Sequence, residues 1–101
     1  MNFERRPDPR CQRGLRFDYL LHRALSPEVL CEAVEPLFDG KMLRSTEDWG
    51  SRRVVRMVLQ FRYEIRVGER DALLSVLYRH CCPQNERERL RSRLDFVLHS
   101  L

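Results

Sequence analysis

The sequence predicts an all-α fold, a compact bundle of five or six helices over residues 14–101, preceded by a flexible basic arm at residues 1–13. Three observations predict it. Apolar residues recur at helical spacing in four separate segments. Helix start and stop residues punctuate the chain between those segments. The most apolar run, residues 52–67, has no second alternating segment to pair with, and a lone strand cannot satisfy its backbone.

The elements follow in order. Residues 1–13 hold two prolines and four arginines with few apolar residues, which reads as an arm. Gly14 ends it. Phe17, Leu20, Leu21, Ala24 and Leu25 then recur with the i, i+3, i+4 pattern of an amphipathic helix. Ser26-Pro27-Glu28 is a helix start: a capping hydroxyl, a proline at the first helical position and an acid in the first turn. Its apolar face is Val29, Leu30, Ala33 and Val34, with Pro36 and Gly40 as the stop. Ser45-Thr46-Glu47-Asp48 resembles a cap followed by a short helical turn, with Trp49 placed in the core. Ser51 caps the next helix and Gly68 closes it. Residues 69–82 carry Leu73, Leu74, Leu77 and Cys81 on one side and stop at Pro83. Asn85 to Glu88 form a capping box for a last helix with Leu90, Leu94, Val97 and Leu98.

The run at 52–67 fits two templates. As a helix, Arg52, Arg56, Gln60 and Glu64 make one polar stripe. As a strand, Val55, Met57, Leu59, Phe61, Tyr63, Ile65 and Val67 alternate without a break. The alternative to the bundle is therefore an α+β fold with residues 54–67 as one long strand, pairing with its own copy across a homodimer.

At 101 residues the chain makes one domain with one core. It has no apolar run of transmembrane length and no signal-peptide core, so it is expected off the membrane, in the cytoplasm or nucleus. Four scattered cysteines, Cys11, Cys31, Cys81 and Cys82, read as reduced thiols. The net charge of +4 is uneven: residues 1–25, 26–50 and 51–101 carry +3, −4 and +5. Lys41 is the only lysine, so the positive charge is almost all guanidinium, which suits bidentate pairing with carboxylate or phosphate.

Several chemistries lack their parts. His80-Cys81-Cys82 is consecutive, with no paired ligand spacing, so no metal is expected. Neighbours in sequence do not face each other on a helix, so His80 does not activate Cys81. The four glycines are isolated, which excludes a phosphate loop. No catalytic residue, cofactor or small-molecule substrate is expected, and the chain is not read as an enzyme.

The segments LLHRALSPEVLCEAVEPLFDGKML, RRVVRMVLQF and ERDALLSVLYRH resemble the death-fold interaction modules, nearest to the caspase-recruitment domain and next to the death effector domain. The resemblance spans about residues 14–101 as a pattern, and Pro36 and the alternating run depart from it. It implies an acidic surface on helices 2 and 3 and a basic one on helices 1 and 4. Arg93-Leu94-Asp95-Phe96-Val97 is similar to the charged motif of death effector domains, with Phe and Val in place of two leucines.

The expected function is a protein-interaction or adaptor module that associates through complementary faces. The basic face is Arg13, Arg16, Arg52, Arg53 and Arg56; the acidic face is Glu28, Glu32, Glu35, Asp39, Glu47 and Asp48. The partner is another protein or a second copy. The competing expectation is a small basic α+β homodimer that binds RNA or DNA through its arginines.

Overall fold

Six antiparallel strands form one sheet with two helices on one of its faces, so the fold is α+β and not an all-α bundle. The computed structural model describes residues 3–7, 15–23, 25–50, 52–68 and 73–101. Strands β1 (Phe3–Pro7) and β2 (Arg16–Leu21) precede helix α1 (Pro27–Val34) and a 3-10 turn (Glu35–Leu37). Strands β3 (Met42–Trp49), β4 (Arg52–Leu59), β5 (Tyr63–Gly68) and β6 (Leu73–Tyr78) follow, then helix α2 (Gln84–His99). The sheet order is β1-β2-β6-β5-β4-β3, which leaves β1 and β3 at the edges.

This arrangement overturns the death-fold resemblance as well as the bundle, since both require helices where β2, β4, β5 and β6 stand. The physical reason is a shared pattern. Phe17 and Leu21 suit a helix face, but Phe17, Tyr19 and Leu21 also alternate, and the strand takes the second reading with Tyr19 and Leu21 buried. Leu74, Val76 and Tyr78 do the same on β6. Residues 3–7, part of the expected arm, pair with β2 from Phe3↔Leu21 to Pro7↔Phe17.

The run at 54–67 is neither one helix nor one long strand. It is a hairpin, β4 and β5, paired from Val54↔Gly68 to Leu59↔Tyr63. Both arms find partners within the chain, β4 with β3 and β5 with β6, so neither is left to pair across a homodimer. The connection at 60–62 has an odd number of residues. Odd positions therefore face inward on both arms, and the alternation passes through the turn unbroken. Phe61 takes φ +66° at that turn, a conformation usually filled by glycine or asparagine, so no turn residue marks it.

Both helices pack on the face carrying Tyr19, Met57, Ile65, Val67, Leu74 and Val76. Ser26 Oγ accepts the Val29 N–H at 3.3 Å and Pro27 stands in the first turn, so α1 begins with a cap and a preset φ. It buries Leu30, Cys31 and Val34. Helix α2 buries Leu90, Leu94 and Leu98, spaced four apart, and leaves Phe96 exposed on its far side. Arg5 Nη1 donates to Asp95 at 2.6 Å and ties β1 to α2.

Candidate functional site

Among the described residues, no helix packs on the opposite face of the sheet. The register sets Arg6, Asp18, Ser75, Arg66, Arg56 and Ser45 side by side across all six strands on that face. In a bare, solvent-facing layer such a row needs internal pairing to hold one geometry. Glu64 of β5 supplies it. Its side chain is almost fully buried beneath two arginines. Arg56 Nε donates to Glu64 Oε1 at 2.7 Å, with Nη2 also on that carboxylate, and Arg66 Nε donates to Glu64 Oε2 at 2.6 Å. Arg56 Nη1 donates to Glu47 Oε1 at 2.6 Å, and the Trp49 indole N–H donates to Glu47 Oε2 at 2.9 Å. The indole and Arg56 hold the Glu47 carboxyl below its ordinary range, and Glu47 with Glu64 raises Arg56 in turn. Ser75 Oγ donates to Asp18 at 2.7 Å on the other flank.

At Gly68, opposite Val54, the open face has no side chain. A concavity of about 140 Å³ lies there. Val54, Leu73 and Ser75 form its floor beside Gly68, and Arg16, Arg52, Arg66 and Trp49 form its rim. The Arg66 guanidinium carbon is 4.9 Å from the centre of the Trp49 ring, a cation–π stack that orients both groups. Enclosed small-molecule sites span about 300–1,000 Å³. This one is too small to swallow such a ligand, and suits one planar ring or one anionic group of something larger.

The sequence-derived residues distribute unevenly around this site. Arg16, Arg52 and Arg56 share the open face, and two of them, Arg16 and Arg52, line the concavity. Arg53 is one step along β4, of opposite parity, 3.5 Å from Asp48. Arg13 lies outside the described residues. Glu28 and Glu32 are exposed on α1, and Glu35 on the following turn, all on the helical side of the sheet. Asp39 accepts from Arg93 at 3.3 Å. Glu47 points onto the open face. Trp49 is 44% exposed and not in the core, because it ends an edge strand on the face opposite the helices. The sequence reads Trp49 as a core residue and offers neither it nor Arg66 or Gly68 as a site residue. Arg66 is masked there by the alternation of its strand, and Gly68 reads only as a stop signal.

A second concavity, about 330 Å³, lies at the β4–β5 turn between Val58, Gln60, Phe61, Arg79, His80 and Cys81. The Cys81 S–H donates to the Phe61 carbonyl at 2.8 Å, and among the described residues no carboxylate lines the concavity. Among the described residues no group of His, Cys, Asp and Glu could hold a metal ion, and no helix is long and apolar enough to cross a membrane. No protein-family model, curated protein or solved structure matches this chain.

Proposed function

We propose that the protein is a non-enzymatic nucleic-acid-binding module that takes single-stranded RNA or DNA on the open face of its sheet. The observation that carries this is the rim of the concavity at Gly68: three arginines and the chain's only tryptophan converge on the sheet face opposite the helices. Unpaired bases are held on protein surfaces by stacking on aromatic rings and guanidinium planes, with arginines tracking the phosphates. Trp49 with Arg66 offers the stacking plane, and Arg16 and Arg52 flank it as phosphate contacts. The carboxylates of Glu64 and Glu47 act here as supports that hold Arg56, Arg66 and Trp49 in place. A net charge of +4 favours approach of a polyanion.

The rival association of an acidic with a basic face would draw on Arg56, already held by Glu47 and Glu64, and on Asp39, already paired with Arg93. Docking a strand at the concavity leaves these pairs in place and draws on Arg16, itself 3.6 Å from Asp18.

The test is fluorescence anisotropy with a labelled oligonucleotide at several salt concentrations. Contact with two or three phosphates predicts log K falling against log salt with a slope of about −1.4 to −2. Arg52→Gln is expected to reduce that slope by about 0.7. Trp49→Ala is expected to weaken binding by roughly 5- to 150-fold, the worth of one stacked base. Absence of binding at about 50 mM salt, where this electrostatic attraction is strong, contradicts the proposal.

A further inference from the structure

β3 is one of the two edges of the sheet, and among the described residues no strand pairs with its outer side. It is eight residues long, contains no proline, and has Leu43 and Trp49 among the exposed large apolar residues at 55% and 44%. Such an edge is ordinarily blunted, because its unpaired backbone groups template another strand. Here the charges that could blunt it are arranged to match themselves. We infer that β3 pairs antiparallel with β3 of a second copy about a two-fold axis through Thr46, joining the two sheets into one of twelve strands.

The register follows from parity and charge. Opposed residues of an antiparallel pair point to the same face. Opposite Met57 in the buried layer, Arg44 points to the helical side, and so do Thr46 and Asp48; Leu43, Ser45, Glu47 and Trp49 point to the open side. Only registers that oppose residues of like parity are therefore possible. Centring the axis on Arg44 sets arginine against arginine, and centring it on Glu47 sets glutamate against glutamate. Centring it on Ser45 opposes Leu43 to Glu47 and leaves Arg44 without an acid. Centring it on Thr46 opposes Arg44 to Asp48 and Leu43 to Trp49, each twice by symmetry, and Ser45 to Glu47. In that register alone both exposed apolar side chains gain an apolar partner and Arg44 faces an acid, Asp48, which also lies 3.5 Å from Arg53 of its own chain. Arg44 and Asp48 are exposed, so their replacement does not disturb the core. The pairing shares Trp49 with the proposed nucleic-acid site, but Arg44 and Asp48 lie on the other side of the sheet, so their replacement tests the dimer without altering that site.

Sedimentation equilibrium tests it. The wild-type chain is expected to dimerise, and Asp48→Arg to raise the dimer dissociation constant by about tenfold or more through paired like charges. The exchanged pair Arg44→Asp with Asp48→Arg is expected to restore the dimer, a result that loss of a merely structural contact would not give. Thr46→Cys should form a disulfide across the axis under mild oxidation, identified by mass spectrometry of the linked peptide. An on-axis pair has Cα atoms about 4.5–5.5 Å apart, within disulfide reach. A monomer at about 1 mM, where even weak association shows, overturns the inference. So does a dimer indifferent to Asp48→Arg, or cross-linking through Ser45→Cys and not through Thr46→Cys.

Discussion

Leu94→Ala is expected to destabilise the protein by about 2–5 kcal/mol in urea unfolding. Leu94 is fully buried, midway along α2, with Leu90 and Leu98 one turn to either side against the sheet. Truncation removes its transfer free energy and leaves a cavity that two rigid layers cannot close. A domain of this size has a total stability of about 5–15 kcal/mol, so the loss is a large fraction of the whole. Phe96→Ala provides the contrast. It lies two residues on, is 74% exposed, and should change stability by less than about 0.5 kcal/mol. Equal effects at the two positions would mean that α2 docks through a different face.

The second large effect is alkaline. The chain has three tyrosines, and all three are in the core. Burial pushes Tyr19 and Tyr63 up to about 12, reinforced by the carboxylates of Asp95 and Asp39 respectively, and pushes Tyr78 upward as well. Tyr63 and Tyr78 donate their hydroxyls to the Leu37 and Arg87 carbonyls, each at 3.4 Å, which also favours the neutral form. The folded values are raised above the ordinary tyrosine value of about 10. Their contribution is therefore complete below pH about 10 and is lost as pH rises through about 12. Ionising these buried hydroxyls therefore costs native stability, so urea unfolding midpoints are expected to fall steadily as pH rises from about 10 towards 12. Absorbance at the tyrosinate band should show no step near pH 10 in the native protein and a full step in urea. A step of one tyrosine or more near pH 10 in the native state would contradict the packing described.

How far the sequence discloses this molecule depends on which elements compete for the same pattern. Helix α1 is legible because Ser26 and Pro27 are local signals whose physics does not depend on tertiary partners. The sheet is not, for three separate reasons. Strand β3 is exposed on both faces, so it shows no alternation, and its Ser-Thr-Glu-Asp string imitates a helix cap. Strands β2 and β6 carry apolar residues that satisfy both periods. The β4–β5 turn preserves parity and holds Phe61 where glycine would have announced it. Each strand then looks partnerless, and the absence of visible partners is what favours a helical reading.

The site was legible in part. Clustering of arginines drew attention to Arg16, Arg52 and Arg56, and the register carries all three to one face. The same clustering could not reveal that Arg56 is held by Glu47 and Glu64, eight or nine residues away across two strand pairings. Trp49 was expected in the core because large aromatics supply most buried area. Its position at the end of an edge strand reverses that, and only the sheet order shows it.

Trp49 is also the chain's only tryptophan, so at constant protein concentration and oligomeric state its emission reports on the open face at the β3 edge. Titrating the protein at fixed concentration with a single-stranded oligonucleotide at low salt should quench that emission as a base stacks on the indole, and added salt should reverse the quench. Unchanged Trp49 emission at saturating oligonucleotide would contradict the assignment of the open sheet face as the binding surface.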